Sequence, residues 1–339
     1  MKFKTTAIAM AVAGVVAAPV AVQAGADEIY ASARIGVWSH KDGGDGNTAV
    51  KSFSSRFGAR GETDLGNGMT GFGRFEWDID FQNSSDDETI QTTLPGNSEP
   101  STIVNKSGKS DSITKRHMYV GLKGDFGSVL VGQTYQTFYN FVVGPNDNPW
   151  WHSGYSMVNY RGRTDNAVTY AGSSGDFNFG ATVYLKDDSS DKTPDQLEVG
   201  GSMGLGDMTL GLAYQWTAED TAQGGVGNDD GIFGAALTGI TLGSVSVGLG
   251  VQAQDKDYSG LIDVAIGNAY VHVEAYEVDK KSASSFSGDD ETHVSSTLGY
   301  TQTLGRKTLM YYEVNYTDND SNTKNNHSAV MAVLKYDII

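Results

Sequence analysis

From Phe177 to Lys186 the chain alternates without a break. Phe177, Phe179, Ala181, Val183 and Leu185 fall on one side, and Asn178, Gly180, Thr182, Tyr184 and Lys186 on the other. Successive side chains of an extended strand point to opposite faces, so this stretch has one apolar and one polar face. The pattern returns with Met208, Leu210, Leu212, Tyr214 and Trp216 against Thr209, Gly211, Ala213, Gln215 and Thr217. It returns again with Val245, Val247, Leu249, Val251 and Ala253 against Ser246, Gly248, Gly250, Gln252 and Gln254. A soluble sandwich also alternates, but its inner face must fill a dry core. Here the polar face is Gly, Ser, Thr and Gln, with little bulk. That combination predicts a barrel with lipid outside and water within.

The start of the chain reads differently. Lys2 and Lys4 precede an apolar run over residues 7–20, and Val22-Gln23-Ala24 is a small-x-small cleavage site. This is the pattern of a secretory signal peptide over residues 1–24, cut after Ala24 or alternatively after Ala26. The apolar run is shorter than the ~20 residues a spanning helix needs. Residues 25–339 are then one barrel domain without a linker. The whole chain carries −17; losing residues 1–24 removes two lysines and no acid, leaving −19. Such a balance argues against nucleic acid as a partner, which needs a basic stripe. With no cysteine, stability rests on the sheet rather than on disulfides. None of the six prolines interrupts an alternating run, as expected if every strand is bonded on both sides.

Sixteen strands are predicted, over 28–39, 52–64, 69–81, 113–124, 127–136, 165–172, 177–187, 195–205, 208–218, 231–239, 244–254, 258–267, 269–279, 292–303, 306–317 and 328–339. Tight turns alternate with long Asp/Asn/Ser/Gly-rich loops over 40–51, 82–112, 137–164, 188–194, 219–230, 280–291 and 318–327. Short turns at one rim and long loops at the other describe an outer-membrane barrel. Trp38, Trp77, Phe81, Tyr214, Trp216, Tyr312 and Tyr316 are expected in one aromatic girdle, and Phe126, Phe177 and Phe179 in the other.

Four segments are more specific: Ser54-Ser-Arg56-Phe-Gly-Ala-Arg-Gly-Glu62, Arg116-His-Met-Tyr-Val-Gly-Leu-Lys-Gly-Asp-Phe-Gly127, Val129-Leu-Val-Gly-Gln133 and Arg163-Thr-Asp-Asn-Ala-Val-Thr-Tyr170. In this order and spacing the chain resembles the general porins of Gram-negative outer membranes. The resemblance implies an all-β, sixteen-stranded antiparallel transmembrane β-barrel with an inward-folded third loop. It implies a homotrimer in outer-membrane lipid and lipopolysaccharide, delivered by the barrel-assembly machinery and passing ions and small hydrophilic solutes. It places Arg56, Arg116 and Arg163 at the pore constriction, facing loop carboxylates. Independently, Arg56 and Arg60 share a face with Ser54, Gly58 and Glu62, and Arg74 with Thr70, Glu76 and Asp78. Charge facing lipid costs ~2–4 kcal/mol at mid-membrane, so these faces belong in the lumen.

Two departures stand out. Between Thr137 and Arg161 the only carboxylate is Asp147, amid Phe138, Tyr139, Phe141, Trp150, Trp151, Tyr155 and Tyr160. Those rings are expected to pack the loop on the wall; a stacking surface for sugars is the alternative. The chain also ends Tyr336-Asp-Ile-Ile339, where porins usually end in an aromatic.

No cofactor or metal is expected. The acidic clusters at 86–88, 187–188, 229–230, 289–291 and 318–320 lack the spacing of a defined Ca²⁺ loop. His293-Val-Ser295 resembles the His-x-Ser pair of an outer-membrane phospholipase but has no nameable orienting partner. The reading is a passive pore rather than an enzyme. A mild cation preference is expected, from acidic outer loops and lumen acids such as Glu62, Glu76, Asp78, Glu274 and Glu313. Small lipid-side residues, Ala31, Ala33 and Gly121, are expected to let barrels approach one another, with loop 82–112 as a latch.

Overall fold

The computed structural model describes residues 28–80, 113–150, 163–185, 194–218, 231–254, 257–278, 291–320 and 326–338. The signal-peptide region, Phe81 and the 82–112 latch lie outside them. So do the acidic clusters at 86–88, 187–188 and 229–230, and most of that at 289–291. The strand segments are β1 (Glu28–Asp42), β2 (Asp45–Ser52), β3 (Ser55–Gly66), β4 (Met69–Ile79), β5 (Ile113–Gly124), β6 (Gly127–Tyr135), β7 (Arg163–Thr164), β8 (Ala167–Ser174) and β9 (Phe177–Tyr184). They continue with β10 (Gln196–Leu205), β11 (Met208–Thr217), β12 (Ile232–Leu242), β13 (Val245–Gln254), β14 (Asp257–Ile266), β15 (Ala269–Val278), β16 (Glu291–Gly305), β17 (Thr308–Asp320) and β18 (His327–Asp337).

All pairings are antiparallel, and β18 pairs back onto β1 from Ser32↔Asp337 to Asp42↔His327. The sheet is therefore closed and has no edge, which is what lets a sheet cross lipid. β2 and β3 both pair with β1 and form one strand broken at Phe53-Ser54. β7 and β8 follow one another along β6 across a break at Asp165-Asn166. The circuit is thus the sixteen-stranded barrel the alternation predicts.

One predicted loop is sheet. Residues 40–51 continue the β1–β2 ladder to Asp42↔Asp45, and the turn is Gly43-Gly44, with Gly43 at φ +64°. Apart from Ala49 and Val50, both faces of this extension are polar, so hydropathy does not mark it as strand. Asp318–Asp320 likewise extends β17.

The alternation sorts lipid from lumen as expected. On β11, Leu212 is 43% exposed to the outside and its neighbour Ala213 3%. Two expected placements change. Trp38 lies on the inner face of β1, stacked on His40 at 3.9 Å with the Lys51 ammonium 3.4 Å from its ring centroid. It is not a girdle residue; its neighbour Val37 is the outward one, at 50% exposure. Gly121 shares the lumen face with Tyr119 and Lys123, because the outward residue is Val120.

The low-bulk inner face has a use beyond admitting water. Gly180, Gly200, Ala213 and Gly234 lie directly opposite one another across β9–β12. Together they make a trough, and the segment after β6 lies in it. A Cβ on Gly234 would stand 2.7 Å from Phe138 and Val142, and one on Gly211 would stand 1.9 Å from the Phe141 carbonyl oxygen. Gly211→Ala should therefore lift the loop or destabilise the barrel by about 1–3 kcal/mol, the usual cost of overpacking. The temperature at which the folded band disappears in detergent gels measures it. An unchanged temperature together with unchanged conductance would contradict this contact.

Candidate functional site

The third long connection turns inward straight after β6. Tyr139–Val143 makes one π-helical turn and Gly144–Asn146 one 3₁₀ turn. Phe138, Val142 and Val143 are buried against Ala213 and Ile232, with Tyr139 and Phe141 packed alongside. This is the packing role expected of the loop rings. Trp151, Tyr155 and Tyr160 fall outside the described residues.

A segment buried in a pore must satisfy its own polar groups. Here the barrel wall accepts them. Phe138 N–H donates to Glu198 Oε2 at 2.7 Å, and Thr137 Oγ1 lies 2.9 Å from Thr182 Oγ1. Asn146 Nδ2 donates to the Leu249 carbonyl at 3.0 Å, Asn148 Nδ2 to Asp263 Oδ1, and Trp150 N–H to Glu313 Oε1. Asp263 also meets His272 Nδ1 at 3.0 Å, and His272 Nε2 lies 3.6 Å from Glu274. Glu274 and Glu313 are each 1% exposed. The expectation that they line the aqueous lumen is therefore corrected: Glu313 anchors the loop, and Glu274 is sealed in beside His272.

The opposite wall, β1 to β5, carries the arginines. Glu76 is its hub, at 1% exposure. It accepts from Tyr30 OH at 2.9 Å, Arg74 Nη2 at 2.6 Å and Arg116 Nε at 3.0 Å. Glu76 is thus also withdrawn from the water in which it was expected. Arg116 Nη1 donates to Ser54 Oγ at 3.0 Å and lies 3.6 Å from Asp78, while Ser54 Oγ donates to Asp78 Oδ2 at 2.6 Å.

Two backbone irregularities build this corner. Ser54 sits at φ +59° in the break between β2 and β3. The β4–β5 register shifts between Glu76↔His117 and Trp77↔Lys115, leaving Arg116 as the extra residue. A bulge re-aims side chains, and here the consecutive residues Arg116 and His117 are both buried, at 8% and 4%.

Arg56, on β3, has Arg34 and Arg116 as like-charged neighbours. Arg34 donates through Nε to Ser32 Oγ at 3.2 Å and lies 4.9 Å from the Trp150 ring centroid. Arg34 was missed in the sequence, although its signal was present: Tyr30, Ser32, Arg34 and Gly36 alternate with Ile29, Ala31, Ala33 and Ile35.

The remaining candidates are spread out. Arg163 donates through Nη1 to Tyr135 OH at 2.9 Å; Tyr135 stacks on Tyr139 at 4.0 Å, and Tyr139 OH donates to Asp147 Oδ2 at 2.7 Å. Asp147 therefore meets Arg163 only through two tyrosines. Arg60 is not in the cluster. It pairs with Glu28 at the start of β1, and its side chain is 58% exposed. Tyr30 lies between the two groups, with the Arg60 and Arg74 guanidinium carbons 5.9 and 5.6 Å from its ring centroid.

A closed lipid-facing barrel whose own loop lies in its lumen, with charge concentrated on the facing wall, is a channel. Its sequence matches the family described as Gram-negative porin over residues 5–322. The chain belongs to that family: it is an outer-membrane β-barrel channel for passive diffusion. Comparison with curated proteins returned no match. Among solved structures it is similar to an anion-selective porin from Comamonas acidovorans, at TM-score 0.66 and 18% identity over 92% of this chain and 99% of that one. It is also similar to OmpF of Salmonella typhi, at TM-score 0.68 and 14% identity over 93% and 98%. A third similar structure is OmpT of Vibrio cholerae in a trimer form, at TM-score 0.62 and 14% identity over 93% and 100%. At these identities the likeness concerns the fold.

Proposed function

We propose that the channel is a general diffusion pore with opposing fixed charges: an anion-favouring constriction behind an acidic mouth. The observation that carries this is the asymmetry of the two walls. Arg34, Arg56 and Arg116 converge on one side, while Glu198 and Asp263 on the facing wall and Glu313, two strands from β1, bond to the loop, and Glu274 is buried beside His272. Arg163, Asp147 and Arg74 belong to the rim of this constriction, and Arg60 to the vestibule at the short-turn end.

The burial of Glu76, Glu274 and Glu313 changes the expected selectivity. The mild cation preference now rests mainly on the outer loops, which are acidic, because, of the remaining lumen acids, Glu62 pairs with Lys123 and Asp78 lies 3.6 Å from Arg116. That contribution is screened, because the Debye length falls from ~10 Å at 0.1 M salt to ~3 Å at 1 M. Fixed charge at close quarters in the constriction is screened less. The reversal potential in a KCl gradient should therefore lean to cations at low salt and to anions near 1 M. Arg116→Ala should move both values towards cations. Cation selectivity persisting at 1 M, or no response to Arg116→Ala, would overturn the reading.

The assembly is proposed to be a homotrimer. Ala31 and Ala33 give β1 a small outward face that permits close approach, and one similar structure is a trimer form. Unheated detergent extracts running only as monomers would count against it. Residues 1–24 are read as the export signal, so an N-terminus at Gly25 is the expected mature end. Lipopolysaccharide and the barrel-assembly machinery are the proposed partners. At the C-terminus the Ile338 N–H bonds to the Ala31 carbonyl at 2.9 Å, extending the closing ladder without an aromatic there.

Family and fold point to a channel, and we read no chemical step in the chain. His293 stacks on Tyr276 at 4.5 Å, and Ser295 Oγ accepts from Asn315 Nδ2 at 3.0 Å and Thr317 Oγ1 at 3.1 Å. The serine is thus engaged as a structural acceptor.

A further inference from the structure

Arg34 and Arg56, side by side on the arginine wall, have no carboxylate within ion-pair distance among the described residues, whereas Arg74 and Arg116 do. Arg116 and Arg74 share Glu76. Among the described residues, the Arg34 side chain hydrogen-bonds the Ser32 hydroxyl and lies over the Trp150 ring, with Glu76 and Asp337 acting on it only at longer range. Arg56 holds a buried Nε with no hydrogen-bond partner among the described residues. A guanidinium offers donors in a planar fork that fits a carboxylate, and a buried donor left unmade is costly. An incoming anion supplies the carboxylate that both guanidiniums lack at ion-pair distance.

The surface beside this pair is not polar. Phe53, Tyr311, Met331 and Val333 form a buried apolar cluster, and Trp150 packs against it with its ring centroid 3.4 Å from that of Tyr311. The backbone ties floor and cation together, because Phe53 N–H donates to the Arg34 carbonyl at 2.8 Å. Cation above apolar floor selects among anions. Chloride uses only the charge. Phosphate brings a tightly held hydration shell that an apolar floor does not replace. A carboxylate with an apolar body uses both parts: its oxygens meet the fork and its body covers the floor.

We propose that Arg34 and Arg56, floored by Trp150 where it rests on Tyr311, form a saturable site for small organic carboxylates with a flat apolar body, of the benzoate class. It rests on the anion-favouring constriction argued above and adds a preferred solute to it. Conduction past such a site requires binding favourable enough to enter and weak enough to leave, so the effect belongs to the millimolar range.

The test is chloride current through single channels in planar bilayers, titrated with benzoate and in parallel with acetate. Benzoate should reduce the current saturably, with half-saturation about ten-fold below that of acetate, from burial of the ring. Arg34→Lys keeps the charge but loses the fork, and should raise the benzoate half-saturation about ten-fold. Trp150→Leu should bring benzoate and acetate together. Lys123→Gln, at the short-turn end, should leave the benzoate titration as in the wild type. Heat-modifiable gel mobility verifies that each variant is folded. Benzoate acting no more strongly than acetate, or both site variants titrating as the wild type, would overturn the site. Anion preference at 1 M KCl without a benzoate advantage would remove the site alone. Cation preference at 1 M would remove the constriction reading beneath it.

Discussion

Deleting residues 144–155 should raise single-channel conductance roughly two-fold in a barrel that still assembles, because the narrowest section dominates resistances in series. The deletion leaves Phe138 and Phe141 in the glycine trough, so the wall beneath them stays covered. It removes Asn148 and Trp150, whose donors bond to Asp263 and Glu313. Asp263 then faces water across the lumen from the arginines, and Glu313 does so beside them, two strands from β1. The reversal potential at 1 M KCl should consequently shift towards cations in the same channels. Unchanged conductance in a folded deletion variant would place the loop outside the conducting path. Higher conductance without a selectivity shift would show that the uncovered acids do not reach the solute.

Glu76→Gln should have the second largest effect, and on two readouts. Removing one partner of a buried ion pair typically costs about 3–5 kcal/mol, because the other charge stays behind. Here two guanidinium groups, Arg74 and Arg116, lose their shared carboxylate. The Arg74 side chain is partly open to the lumen, at 28% exposure, so water recovers part of that loss. The expected cost is then near the lower end, about 3 kcal/mol. Anion preference should rise as well, since the wall keeps its arginines and loses a negative charge. Gel-shift melting reads the first effect and the reversal potential the second. A variant as stable and as selective as the wild type would show that Glu76 is not the hub.

Much of this was legible before any coordinates, and the misses share a cause. Period-two alternation placed Arg56, Arg60 and Arg74 in the lumen, and the same pattern carried Arg34 and Trp38, whose inward side was overlooked. Alternation assigns a face but not a depth or a partner. It could not separate Arg60, paired with Glu28 near one rim, from Arg56, which stands among like charges. It also breaks at a bulge: His117 and Arg116 cannot both face inward in a regular strand, and only the shifted β4–β5 register allows it.

The sequence by itself determined the barrel, its strand number and, apart from positions such as Gly121 and Trp38, which side chains meet lipid. Those follow from a local rule, the two-residue repeat of an extended chain under a solvent that changes from lipid to water across the wall. Only the tertiary structure decided what the lumen face touches. The small residues of β9–β12 looked wet in isolation, yet they are the bed of a loop that arrives from elsewhere in the chain. Glu274 and Glu313 looked like pore charges, yet Glu274 is sealed beside His272 and Glu313, like Glu198 and Asp263, accepts a hydrogen bond from the loop. Whether a lumen carboxylate acts on a passing ion depends on what covers it. That covering is a contact between segments as much as 163 residues apart, as for Trp150 and Glu313, and no local pattern records it.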